Sequence, residues 1–292
     1  MDSGGIYRKR IRISDMLLLM LIDAGALISI SLLIGICLYV FVKGIGSINL
    51  TFLGTAPSAI KGTFGILGNL INTIYMIVLT LLFATPCGIG AAIYLNEYAK
   101  PGRLLRLIEF TTETLAGIPS IIFGLFGMVF FGTACGLGYS IMTGALTLTL
   151  MVLPLITRNT QEALKAVPKS YRNGALGIGA TKWYMIRTIL LPSAMPGIIT
   201  GVILAIGRIV GESAALLFTG GSAYLLPAAG DFGLLKKIFQ PGGTLTIQLY
   251  LSMSKAQYGD AFGIALVLLV IVFSINLLTK GITRRFDVNR MK

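Results

Sequence analysis

The sequence predicts an all-α integral membrane protein of six transmembrane helices, and three observations carry that expectation. Of 292 residues, 55% are hydrophobic and only 12% are charged, against about a quarter in soluble domains. The apolar residues gather into runs near the ~20 residues a helix needs to cross hydrocarbon. No alternating barrel pattern appears, and a helix satisfies its own backbone groups in lipid.

The runs are residues 16–41, 66–93, 107–131, 140–156, 193–219 and 261–278. The first is too long for a signal peptide and lacks a small-x-small cleavage site, so it reads as a retained helix. The expected organisation is a tail over residues 1–15, a first span, and a five-span core over residues 66–283. That core contains a long loop at 157–192, and a second tail, 284–292, follows it.

The distribution of charge gives the direction of the chain. Four basic residues precede the first span (Arg8, Lys9, Arg10, Arg12), and three lie in the second connection (Lys100, Arg103, Arg106). Six lie in the fourth connection (Arg158, Lys165, Lys169, Arg172, Lys182, Arg187) and five at the end (Lys280, Arg284, Arg285, Arg290, Lys292). Eighteen thus fall on one side of the membrane and five (Lys43, Lys61, Lys236, Lys237, Lys255) on the other. Basic residues accumulate on the cytoplasmic side, so both termini are expected there, in a multi-pass protein of the plasma membrane. The formal charge of +13 has no aromatic-interleaved basic face behind it, so nucleic acid is not an expected partner.

Two absences narrow the chemistry. There is no histidine, which removes imidazole bases and imidazole metal ligands. Cys37, Cys87 and Cys135 form no CxxC pair, so no metal site, disulfide framework or bound cofactor is expected, and Cys37 and Cys87 read as packing residues. No GxxxxGK[ST] loop occurs. In the nearest approach, Gly174 to Gly179, Lys182 comes three residues after the second Gly, whereas a phosphate-cradling loop needs the Lys adjacent to it. The chain is not expected to be an enzyme by itself.

The loop at 157–192 is amphipathic. Ala163, Leu164 and Val167 suit one short helix, interrupted by Pro168; Ala175, Leu176 and Ile178 suit a second, ended by Gly177 and Gly179. A third stretch, 183–191, leads into the next span with Trp183 and Tyr184 at the interface. From these residues alone, a rigid docking knob and a helix lying in the headgroups both stay open.

Asn173-Gly174-Ala175, three residues, Gly179, nine residues, then Ile189-Leu190-Leu191-Pro192 resembles the EAA loop of binding-protein-dependent ABC importer permeases. That pattern is Glu-Ala-Ala, three residues, Gly, nine residues, Ile-x-Leu-Pro; here Asn173 and Gly174 replace its first two residues. The segments TFLGTAPSAIKGTFGILGNLINTIYM, ETLAGIPSIIFGLFG, LPLITRNTQEALKAVP and GRIVGESAALLFTGG are similar to those of the permeases of the high-affinity phosphate importer, the PstA type above all. The resemblance implies a type I ABC importer permease fold in which the loop forms a coupling helix docked on an ATPase. It also implies two ATP-binding subunits, a second related permease sharing the pathway, and an extracytoplasmic phosphate-binding protein.

Candidate pathway residues follow from charge in lipid, where an ionised side chain costs about 2.5–3.5 kcal/mol and so faces water or a partner. Arg208 and Glu212 are spaced i, i+4 in the fifth run. They read either as a structural ion pair or as an oxyanion site in which Glu212 moderates Arg208, whose fork matches phosphate. Glu113 lies deeper in the third run than Glu109. Asn72, with Asn69 and Thr73, and Thr147, with Thr143, form polar stripes that serve either as helix glue or as uncharged guides. Lys236 and Lys237 lie in the long connection 220–259, which reads as a contact for the binding protein or as a solvated loop. Two other readings remain: another oxyanion such as sulfate or molybdate, or an ion-coupled secondary transporter, which would show inverted repeats that are not found here.

Overall fold

The computed structural model describes residues 13–57, 64–227 and 233–285, and every regular element among them is helical. Of the expected tails, residues 1–12 and 286–292 lie outside the described residues, as does Lys61.

Helix α1 (Ile13–Gly44) is followed by α2 (Leu50–Gly54), whose first turn is capped by the Asn49 side chain accepting from Phe52 N at 2.7 Å. α3 (Leu67–Ile93) runs on through a π-helical turn, Tyr94–Tyr98. α4 (Arg103–Gly117) and α5 (Ser120–Gly127) come next, the latter extended by a π-helical stretch to Ala134. α6 (Ile141–Ala166) starts on a Ser140 cap, with Thr143 N donating at 3.2 Å. α7 (Lys169–Gly177), α8 (Lys182–Met185) with its π-helical continuation to Leu190, and α9 (Leu191–Gly211) form one continuous path. The chain finishes through α10 (Ala214–Thr219), α11 (Gly233–Ile238), α12 (Leu245–Ser254) and α13 (Tyr258–Arg285).

Among the described residues, five helices are individually long and apolar enough to cross a bilayer, and the bent pair α4–α5 brings the number to six where it is counted as one broken span. The expected straight third span is therefore corrected: α4 and α5 meet at 101° across Ile118–Pro119. The ring of Pro119 disfavours helical backbone at Ile118, which is extended with ψ 132. The expected fifth span is also shortened. It stops at Gly211, because Glu212 takes extended backbone and α10 starts afresh beyond it.

The core is the α3–α6–α9 contact, filled by Met76, Leu148, Val152, Ile156, Ala205 and Ile209. α6 and α9 approach closely because Gly201 faces Asn159 and Gly197 faces Ala163; a Cβ on either glycine would sit 2.6 Å from the facing Cβ. A second cluster, Leu164, Ala175, Met185, Ile186, Leu190 and Ala194, ties the α7 turn to the foot of the bundle. Cys87 is exposed on the α3 surface and does not pack as expected.

Candidate functional site

Along one side of the core, α4, α6 and α9 leave a cleft of about 180 Å³ lined by Thr112, Glu113, Arg158, Asn159, Glu162 and Arg208 among apolar neighbours. A second hollow of about 240 Å³ shares Thr112, Glu113, Arg158 and Glu162 and extends towards Lys165. Helical spacing sets this wall, since Arg158 and Glu162 are one turn apart on α6, as are Glu109 and Glu113 on α4. Arg158 pairs with Glu113 at 3.3 Å and Glu162 at 3.7 Å. Arg208 shares the cleft with Pro154 and Leu155, at the middle of α6, and forms no ion pair or hydrogen bond among the described residues.

Glu212 is not the partner of Arg208. The helix ends between them, and the buried Glu212 carboxylate accepts from Ala215 N at 3.0 Å, satisfying a free donor in the first turn of α10. Its carbonyl accepts from Thr246 Oγ1 at 2.8 Å. The predicted pairing fails because Glu212 has left the helical path that would place it above Arg208. Arg158, assigned to the loop by its sequence position, is inside α6, so Arg208 does not stand as the lone basic residue within the spans.

The polar stripes lie away from the cleft. Asn72 Nδ2 donates to Ala223 O at 3.1 Å and Gly243 O at 3.2 Å, Asn69 Nδ2 donates to Gly243 O at 3.0 Å, and Thr73 Oγ1 accepts from Leu245 N at 3.0 Å. These three side chains tie Ala223, Gly243 and Leu245 to α3. Thr147 Oγ1 donates to Thr143 O at 2.7 Å, and its side chain fills the space that a Cβ on Gly127 would need. Within the same connection Lys236 is exposed, but Lys237 is fully buried with Nζ 3.4 Å from Pro241 O, and burial lowers its pKa.

The α7 turn has two faces. Ala175 is buried, and Ile189 and Leu191 pack against the same cluster, so this half of the motif is scaffold. Tyr171, Asn173, Gly174, Leu176 and Ile178 are exposed, Ile178 to 86%. Gly179 closes the helix at φ +85, with Gly179 N donating to Leu176 O and Ala180 N to Ala175 O. This paired closure needs left-handed backbone, which glycine adopts without a Cβ penalty. Pro192 is exposed in the first turn of α9, where its missing N–H costs nothing.

Sequence reasoning missed two residues that the fold brings to this end. Arg172 of α7 donates from Nη2 to Glu97 Oε1 at 3.1 Å and to Leu164 O at 2.8 Å, and from Nη1 to Val167 O at 3.0 Å. Glu97 lies 75 residues earlier in the chain, beyond any helical period.

Residues 84–290 match the family described as "Binding-protein-dependent transport system inner membrane component". A probable ABC transporter permease protein of Bacillus subtilis, YqgI, is 34% identical over 90% of this chain and 94% of its own. The phosphate transport system permease protein PstA of Xylella fastidiosa (strain Temecula1) is 35% identical over 83% of each chain. PstC of Mesorhizobium japonicum is 30% identical over 96% of this chain and 93% of its own. Among solved structures, a bacterial alginate ABC transporter chain superposes with a TM-score of 0.68 at 17% identity, covering 94% of this chain and 96% of that one. The MetNI methionine transporter gives 0.57 at 21% identity, covering 76% and 94%. Helix order, broken spans and family match together make this chain a binding-protein-dependent transport system inner membrane component, a permease with the type I ABC importer fold.

Proposed function

We propose that this chain is the PstA-type permease of an ATP-driven phosphate importer, sharing its pathway with a PstC-type chain. The observation that carries the reading is the cleft, in which Arg208, unpaired among the described residues, and an exposed, exchangeable Arg158 sit within the membrane-crossing helices α9 and α6. Charges there cannot face hydrocarbon, so the cleft side lines water or the second permease. A phosphate meets Arg208 first and competes with Glu113 and Glu162 for Arg158. Those carboxylates, and not Glu212, keep the anion from being trapped. The kinship to PstA and PstC permeases supports phosphate over other oxyanions.

In this reading the termini and the α7 turn are cytoplasmic, and the exposed apolar side chains Leu176 and Ile178 dock α7 on an ATPase subunit. An extracytoplasmic phosphate-binding protein delivers substrate at the opposite end. The test is phosphate uptake at low external phosphate in a strain lacking this chain, complemented with wild type or Arg208→Gln. Uptake restored by wild type and not by Arg208→Gln, with the complex assembled in both, supports the reading; sulfate uptake restored in place of phosphate overturns it.

A further inference from the structure

Both flanks of α7 are fastened to the same short piece of α3. Arg172 within α7 grips the Glu97 carboxylate, and Lys182, just after the turn, donates to the Glu97 carbonyl and lies 4.9 Å over the Tyr98 ring. Glu97 Oε1 also accepts from Asn96 Nδ2 at 2.7 Å. The same guanidinium caps the last carbonyls of α6, so three elements meet at one group. The Arg172 and Glu97 side chains are 19% and 7% exposed, whereas the other ion pairs among the described residues are more than half exposed. The anchor sits on the π-helical turn Tyr94–Tyr98, a wound-open segment of a kind often found where a helix changes length or direction. A positively charged planar fork with five donors can hold this set of acceptors at once, and a lysine cannot.

We propose that Glu97 and Arg172 form the strut that carries displacement of α7 into α3, making both positioning residues for transport. The proposal rests on the docking of α7 to the ATPase. Glu97 neither reaches the pathway cleft nor lies on the exposed face of α7, so the strut acts only between the docking turn and the core. With it in place, a shift of α7 pulls on the foot of α3 and, through the Leu164 and Val167 carbonyls, on α6. Without it, α7 keeps its cluster packing and its docking face but loses its ion pair to the end of α3, leaving only the contacts of Lys182 with the Glu97 carbonyl and the Tyr98 ring.

The test uses the whole importer, with its ATPase subunits and binding protein, reconstituted in vesicles and read as phosphate moved per ATP hydrolysed. Glu97→Gln keeps an acceptor oxygen and removes the charge. Phosphate per ATP is expected to fall about tenfold, with ATPase stoichiometry and hydrolysis near wild type. Arg172→Lys is expected to behave likewise, because it keeps the charge but loses the fork. Cysteines at 97 and 172 joined by a short bifunctional thiol reagent are expected to recover transport, with the native cysteines replaced. Unchanged phosphate per ATP in Glu97→Gln overturns the strut, as does a parallel fall of hydrolysis and uptake. Failure of the docking reading shows separately, as normal ATPase recovery when the docking face itself is altered by Ile178→Asp.

Discussion

Arg158–Glu113 and Arg172–Glu97 have nearly the same separation, 3.3 and 3.1 Å, and opposite surroundings. The first pair is open, with side chains 58% and 61% exposed, and its arginine divides itself between two carboxylates. The second is enclosed and its arginine is spent on two backbone carbonyls besides. Identical chemistry therefore serves two ends. An exposed pair gains little from its own contact and can trade a carboxylate for a passing anion, while an enclosed pair holds its geometry because either partner alone would be a stranded charge.

The largest effect should come at Arg208, which belongs to the open region. In the proposed pathway Arg208→Gln removes the charge-assisted bonds offered to a phosphate, about 1.5–3 kcal/mol, so uptake is expected to fall about 10- to 100-fold in a phosphate transport assay. Complex yield should stay unchanged, since Glu212 has its own partner in Ala215 N. A fall in yield repaired by adding Glu212→Gln would restore the pairing that the fold argues against. Next, Arg172→Ala strands Glu97 and should destabilise the chain by about 3 kcal/mol, seen as a lower midpoint in detergent thermal unfolding. Glu113→Gln in the open pair should move that midpoint by less than about 1 kcal/mol while altering uptake, and a loss as large as that at Arg172 would erase the distinction.

Three smaller tests concern residues outside both pairs. Gly179→Val forces a β-branched side chain into left-handed backbone at a cost of about 1–3 kcal/mol, and should reduce ATPase co-purification and uptake. Gly174, inside α7 with open space around its Cα, should accept alanine with a gain of about 0.5–1 kcal/mol in the same unfolding assay. At Lys237, burial lowers the pKa, so the unfolded chain binds more protons and stability rises as pH climbs from the folded pKa to the ordinary lysine value. Lys237→Met should abolish that alkaline rise in a pH series of unfolding midpoints.

Hydropathy located the spans, because lipid makes apolar length the dominant signal. Pro119 also announced its break in principle, since the residue before proline resists helix, but the apolar run through Ile118–Phe126 masked it. The end of α9 left no such mark: apolar character resumes at Ala214–Leu216 beyond Glu212, so an i, i+4 spacing with Arg208 looked helical when the backbone between was not. Arg158 was hidden by where the apolar run stops, two residues earlier, although α6 continues eight residues past Arg158. The Glu97–Arg172 contact obeys no local period and becomes visible only when α3 and α7 are folded together. The turn around Gly179 was legible because its constraint is local, held in one residue's backbone.

Helix α1 exposes residues 16–36 along their whole length and meets α13 near Tyr39 and Gly44, where Tyr39 stacks edge-on to Phe262 at 5.5 Å and Gly44 abuts the Phe262 carbonyl. In a chain made from its N-terminus, that docking site emerges roughly 200 residues after α1 itself. α1 therefore resides in the bilayer as a solitary helix through most of synthesis, and closure of Gly44 on Phe262 is a late step of maturation. A bulky residue at Gly44 should leave insertion intact and accumulate chains whose first helix is laterally detached, open to proteases that the closed form resists.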